Sequence, residues 1–163
     1  RIGGFIHEKG RGCILVVNKW DLIEKDSQTM AESEREVRRH LKFLHYAPIL
    51  FISALTGQRV KKVLDVIDHV AEQAKKRVST SPLNRYFGEW VESHPPPLYR
   101  NRRVKLNYIT QVSTAPPTFV IYTNSPGGIH FSYERYLVNQ MREHFSFEGV
   151  PIRLQFRKKG KEK

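Results

Sequence analysis

Cysteine is almost missing: Cys13 is the only one in 163 residues, so no disulfide can close within the chain. That suits a reducing compartment such as the cytosol, and it places Cys13, inside an apolar run, in a core. Long apolar runs are missing too. Nothing approaches the roughly 20 residues that a membrane helix needs, and no secretory leader is visible, so no membrane is expected as a partner. Acidic residues are scarce: 16 Asp and Glu stand against 28 Lys and Arg, for a formal charge of +12. A chain this basic is built to meet a polyanion, and nucleic acid is the first candidate. Metal-ligand spacing is lacking as well. His7, His40, His45, His69, His94, His130 and His144 are scattered and read as structural. Glu89 and Glu92, three apart on an expected helix, read as a wet face and not as an acid–base pair.

What is present is the composition of a globular protein, with 39% apolar and 27% charged residues. Arg1 to Gly12 reads as the tail of a helix and a loop, as if an upstream part of a larger protein preceded it. The run Cys13 to Val17 (CILVV) is short and continuously apolar, which predicts a strand buried on both faces of a parallel sheet. A helix start is predicted at Asp26 to Thr29, with Thr29 and Glu32 at capping-box spacing. The helix should run to about Leu44 with Val37, Leu41 and Leu44 on one stripe. Ile49 to Ile52 (ILFI) predicts a second buried strand. Val60, Val63, Leu64, Ile67, Val70, Ala71 and Ala74 then recur at helical spacing. The order is β-α-β-α, half of a doubly wound sheet.

Val78 to Pro82 (VSTSP) reads as a linker. Beyond it a helix should run from Ser81 or Pro82 to about Ser93, stopped by the Pro95–Pro97 triplet. Strands are expected at Val104 to Val112 and Thr118 to Tyr122. A break at Ser125 to Gly128 should precede a helix capped by Ser132, with Phe131 and Tyr136 as a staple. That helix should bury Tyr136, Leu137, Met141 and Phe145. A closing strand, Pro151 to Phe156, gives α-β-β-α-β. The expected domains are therefore residues 1–78 and 79–163, the second an α+β sandwich with a polar tail from Arg157.

Each apolar strand runs straight into a short polar motif. Asn18-Lys19-Trp20-Asp21 follows the first strand and Ser53-Ala54-Leu55 the second. Open α/β sheets bind ligands outside the carboxyl ends of their strands. An NKxD element followed by SA(L/K) resembles the guanine-specificity pair of the P-loop GTPase superfamily. The residue types suit that base. Guanine offers N1–H and the N2 amine side by side, and one carboxylate, Asp21, can accept both. Adenine has no such donor pair and would leave a buried charge unpaired, on the order of 10⁴-fold discrimination. The Lys19 stem can lie on the base face. Asn18 can bridge to neighbouring backbone, the Ala54 N–H can reach guanine O6, and the Ser53 hydroxyl can hold Asp21. No G-x-x-x-x-G-K-[ST] phosphate loop and no D-x-x-G switch motif occurs, so the chain alone is expected not to hydrolyse GTP.

Over essentially Arg1 to Lys159 the sequence resembles the bacterial Der (EngA) proteins, with tandem GTPase domains and a C-terminal KH-like domain. The resemblance rests on VVNKWDLIEKDSQTM, YAPILFISALTGQRV, RRVKLNYITQVSTAPPTFVIYTN, HFSYERYLVNQMRE and FEGVPIRLQFR. It implies the C-terminal half of the second GTPase domain, a P-loop doubly wound parallel sheet, followed by the KH-like domain. It also implies binding of GTP or GDP, with Mg²⁺ held only by the missing upstream part. The implied setting is cytoplasmic and ribosome-associated, in assembly of the large ribosomal subunit, with rRNA and the upstream GTPase domain as partners and no DNA.

Ordinary KH domains grip single-stranded RNA with a GXXG loop. None is present; Gly127 and Gly128 are adjacent and read as a turn. Charge offers another route. Residues 79–163 hold 13 Lys and Arg against 6 Asp and Glu. Arg100, Arg102, Arg103 and Lys105 form one cluster, and Arg153, Arg157, Lys158 and Lys159 another. Phosphate contacts from them would be salt-dependent and sequence-blind. Tyr99, Tyr108, Phe119 and Tyr122 are either stacking platforms or core. The competing reading is an RNA-binding or protein-docking module with no nucleotide-dependent activity of its own.

Overall fold

A computed structural model describes residues 2–23 and 29–158. The chain divides into two units. One comprises residues 1–74 with Phe147–Pro151, and the other residues 75–146 with 152–163.

The first unit opens with helix α1 (Ile2–Glu8) and strand β1 (Leu15–Val17), followed by a 3-10 turn at Trp20–Leu22. Helix α2 (Thr29–His40), a 3-10 turn at Lys42–Leu44, strand β2 (Ile49–Phe51) and helix α3 (Val60–Lys75) complete it. Strands β1 and β2 pair in parallel, with Leu15 opposite Ile49 and Val17 opposite Phe51. Cys13, Leu44, Tyr46 and Ala47 form a core cluster against which Ile6, Leu15 and Leu41 pack. Burial pushes the Cys13 thiol above its ordinary pKa, as suits a core cysteine. Arg38 closes the corner after α2 by donating to the carbonyls of Leu44, His45 and Ala47.

Several elements are shorter or barer than their sequence suggests. Cys13 lies outside β1, because its N–H goes to the Gly149 carbonyl at 2.7 Å and not to the sheet. Val16, expected to be buried, is 43% exposed, and on the α3 stripe Leu64 is 65% and Ile67 46% exposed. A two-stranded sheet offers too little cover, so of the α3 stripe only Val70 is buried. Helix α2 stops at His40, short of Leu44. Of the expected helix start at Asp26 to Thr29, residues 26–28 lie outside the described residues, and Thr29 is the first residue of α2.

The segment Phe147–Pro151 belongs with this unit although its neighbours in sequence do not. Gly149 donates to the Tyr46 carbonyl and Phe147 donates to Gln73 Oε1. Gly149 has φ +74°, and Val70 occupies the place a Cβ would take, so only glycine fits there.

In the second unit, helix α4 (Thr80–Ser93), strands β3 (Leu106–Ser113) and β4 (Thr118–Thr123), a 3-10 turn at Pro126–Gly128, helix α5 (Phe131–Phe145) and strand β5 (Arg153–Lys158) follow in order. The sheet order is β3-β4-β5, with β3 antiparallel and β5 parallel to β4. Leu83, Phe87 and Trp90 of α4, Tyr133, Leu137 and Met141 of α5, and Phe119 and Ile121 of β4 are buried. The cap of α5 is His130, not Ser132: its ring accepts the Ser132 N–H. Phe131 is therefore inside the helix and 67% exposed, so it staples nothing. Tyr133 is the buried tyrosine, while Tyr136 and Phe145 are half-buried.

Two amides tie the helical part to the edge strand β3. Asn84 donates to the Ile109 carbonyl at 2.8 Å and accepts the Ile109 N–H at 3.0 Å. Gln111 donates to the Lys76 carbonyl and accepts the Val78 N–H, both at 2.8 Å. Lys76 also donates to the Phe145 carbonyl. These bonds hold Lys76 to Val78 within the second unit, so the division falls after Ala74, upstream of the expected linker at Val78–Pro82. In Gln111→Ala, Lys76 and Val78 lose their shared partner, a loss of about 1–3 kcal/mol if the groups stay unpaired. Tryptic cleavage after Lys76 and Arg77 should accelerate severalfold, with cleavage elsewhere unchanged; equal rates in both proteins would show that Gln111 does not hold this stretch.

Candidate functional site

The parallel register places Asn18 and Ile52 just beyond the paired strands, where both chains leave the sheet in the same direction. Ile52 donates to the Val17 carbonyl at 2.9 Å and Trp20 donates to the Ile52 carbonyl at 3.0 Å, so pairing persists one step past the strands. Trp20 is buried, with its ring centroid 4.5 Å from that of Phe51. This packing turns the chain sharply. Lys19 takes a left-handed conformation, φ 61°, which costs a non-glycine residue of order 1–3 kcal/mol and is found where geometry is fixed for function.

Asn18 Oδ1 accepts the Ala54 N–H at 3.0 Å. This bond joins the two motifs directly. It also means that any acceptor approaching the Ala54 N–H must share it with, or displace, the Asn18 oxygen. Ser53 is fully buried; its N–H goes to the Gln58 carbonyl and its Oγ accepts the Thr56 N–H at 3.2 Å. Ser53 thereby shapes the loop that presents Ala54. Asp21 is half-buried in the 3-10 turn, Lys19 and Ala54 are exposed, and Leu55 is 86% exposed.

The family model described as "KH-domain-like of EngA bacterial GTPase enzymes, C-terminal" matches residues 77–157. The chain is 55% identical over all 163 residues to GTPase Der of Desulfitobacterium hafniense (strain DSM 10664 / DCB-2), spanning 37% of that protein. It is 56% identical over 158 residues, 97% of the chain, to GTPase Der of Moorella thermoacetica, spanning 36%. To GTPase Der of Geotalea daltonii it is 53% identical over 162 residues, again spanning 36%. The chain belongs to the Der (EngA) family. It spans little more than a third of the length of these curated relatives.

In this Der-family chain the α-β-β-α-β unit gathers much of the basic charge at one end of its sheet. Arg100 and Asn101, with φ 50° and 59°, form a tight hairpin closed by reciprocal bonds between Tyr99 and Arg102. Asn124 fixes the hairpin to the end of β4: it donates to the Arg103 carbonyl and accepts the Lys105 N–H. Arg100, Arg102 and Arg103 then line a concavity of about 460 Å³ with Tyr99, Asn124 and Ser125. Lys105 lines a neighbouring hollow with Arg103 and Glu92. Arg157 and Lys158 of β5 sit opposite Tyr122 and Thr123, at this same end, whereas Arg153 lies opposite Thr118 at the other. Lys159 is outside the described residues. Among the aromatic candidates Phe119 is fully buried and belongs to the core, Tyr99 and Tyr122 are half-buried, and Tyr108 is exposed. Sequence spacing gave no sign of Asn124 and Ser125, which reach the arginines only through the β3–β4 pairing.

Among the described residues no group of three His, Cys, Asp or Glu is placed to hold a metal, and no helix is long and apolar enough to cross a membrane.

Proposed function

We propose that the first unit is the guanine-recognition half of a P-loop GTPase domain and that the second binds rRNA, in a cytoplasmic protein that serves assembly of the large ribosomal subunit. The observation that carries the nucleotide reading is the Asn18–Ala54 hydrogen bond, which unites NKWD and SAL at the carboxyl ends of adjacent parallel strands. Asp21 reads guanine N1–H and N2, Lys19 covers the base, and Asn18, Ser53, Ala54 and Leu55 frame its O6 edge. The uncovered apolar faces support a half-domain: Val16 of β1 and Leu64 and Ile67 of α3 are exposed as they would not be in a complete doubly wound sheet. GTP or GDP is the ligand of the whole protein. Hydrolysis and Mg²⁺ binding need a phosphate loop and switch motif that this sequence does not contain.

In a full-length family member, the substitution equivalent to Asp21→Asn should weaken GTP binding well over tenfold and admit xanthine nucleotides, whose 2-oxo group accepts from the new amide. Isothermal titration with GTP and xanthosine triphosphate checks this; unchanged GTP affinity would remove Asp21 from the site.

The RNA reading rests on the concentration of unpaired arginine at one sheet end. No ion pair is formed by Arg100, Arg102, Arg103 or Arg157 among the described residues. Affinity should then come mainly from counterion release. Replacing Arg100, Arg102, Arg103 and Lys105 by alanine should weaken binding to rRNA fragments and flatten its salt dependence by up to about 0.7–0.9 units of slope per lost phosphate contact. Filter binding at several salt concentrations measures both, and an unchanged slope would favour a protein-docking role.

A further inference from the structure

We propose that the second unit holds its RNA as a single strand on the face of the sheet formed by Tyr108, Tyr122 and Arg157, with bases stacked on the tyrosines and a phosphate seated in the neighbouring arginine concavity. This deepens the RNA-binding reading above and rests on it.

The register sets the two faces apart. Ile109 lies opposite Ile121 and Phe156, and Gln111 opposite Phe119 and Leu154; this face carries the buried core. The other face carries Tyr108 opposite Tyr122 and Arg157, then Thr110 opposite Val120 and Gln155. No carboxylate stands in either of its rows. In the second row Val120 is fully buried between half-buried Thr110 and exposed Gln155, so the aromatic surface of this face is confined to the first row. Tyr108 is 41% exposed on the edge strand and its ring lies 6.3 Å from that of Tyr122, tilted by 38°. Arg157 is exposed and steadied by donation to Gln155 Oε1 at 3.0 Å.

The strand end that carries this row runs directly into the concavity. Thr123, Asn124 and Ser125 follow Tyr122, and Asn124 and Ser125 share the concavity with the three arginines. Tyr99 backs it, packed so closely over Gly128 that a Cβ there would meet the ring at 2.8 Å. Guanidinium groups around a hydroxyl and an amide match the oxygens of a phosphate. The combination of aromatic rings with a cationic seat is that of a platform for unpaired bases. A duplex cannot use the rings, because its base faces are already stacked on each other.

The test uses the 163-residue chain and two labelled RNAs of equal charge, an unstructured oligonucleotide and a blunt duplex, compared by fluorescence anisotropy at fixed salt. The expected result is a preference for the single strand of about tenfold or more, since stacking contributes about 1–3 kcal/mol per base. Tyr108→Ala should abolish most of that preference, and Tyr108→Phe should keep it. Adding Tyr122→Ala should remove the remainder, while alanine at Arg100, Arg102 and Arg103 should weaken both RNAs. Tyr108 is 41% exposed and packs on Tyr122, so unchanged duplex binding by Tyr108→Ala, with Tyr108→Phe as the ring-keeping control, separates lost stacking from lost folding. Equal affinity for the two RNAs, or a preference unmoved by Tyr108→Ala, overturns the platform while leaving phosphate binding standing. Failure of the wild-type chain to bind either RNA overturns both.

Discussion

The parallel pairing of two three-residue strands is the constraint on which the candidate nucleotide site depends. Residues 18–21 and 53–55 are far apart in sequence, and each is a short polar stretch with little structure of its own. Only the register that sets Val17 opposite Phe51 brings Asn18 within reach of Ala54. The pairing is itself poorly covered: its surroundings expose Val16, Leu64 and Ile67, and its stability leans on Trp20 against Phe51 and on the cluster around Leu44 and Tyr46. A site that recognises a base by a few hydrogen bonds needs its donors and acceptors fixed within fractions of an ångström. The left-handed Lys19 and the buried Ser53 are the most tightly held points of the two motifs.

The second unit solves a different problem, displaying charge without dispersing it. Sequence clusters of arginine guarantee neither convergence nor separation. Here the hairpin at Arg100 and Asn101, pinned by Asn124, turns three arginines into the walls of one hollow, while β5 running parallel to β4 brings Arg157 and Lys158 to the same end. Arg153, equally basic in sequence, is carried to the opposite end by the same geometry. Repulsion among such neighbours is tolerated because each side chain remains hydrated, and it is relieved when an anion binds.

Much of the fold was legible because apolar periodicity reports burial. Strands β2 and β4 and helix α3 lie close to where their patterns put them. What sequence concealed were long-range hydrogen bonds. Cys13 looks like strand, yet its N–H is taken by Gly149, from a segment far along the chain. Val78 to Pro82 looks like a linker, yet Gln111 pins Val78 to β3. His130 caps α5 in place of Ser132, because a histidine ring nitrogen can accept a backbone N–H as a hydroxyl does. At the site the motif residues were visible by type and order, whereas the direct bond between Asn18 and Ala54 required the strand register. Tyr108 and Phe119, alike as aromatic strand residues, were separated only by the alternation of the sheet, one exposed and one fully buried.

Under the proposed function, guanine binds where the two strands end. The most direct measurement is a nuclear magnetic resonance titration of an isotope-labelled full-length family member with GDP, following the Ala54 backbone amide and the Asn18 side-chain amide. Both report on the bond that joins the motifs at 3.0 Å. Saturable shifts of these two signals, in step with nucleotide binding and absent with the adenine analogue, are the predicted result. Saturation of the protein with GDP while both signals stay in place would contradict it.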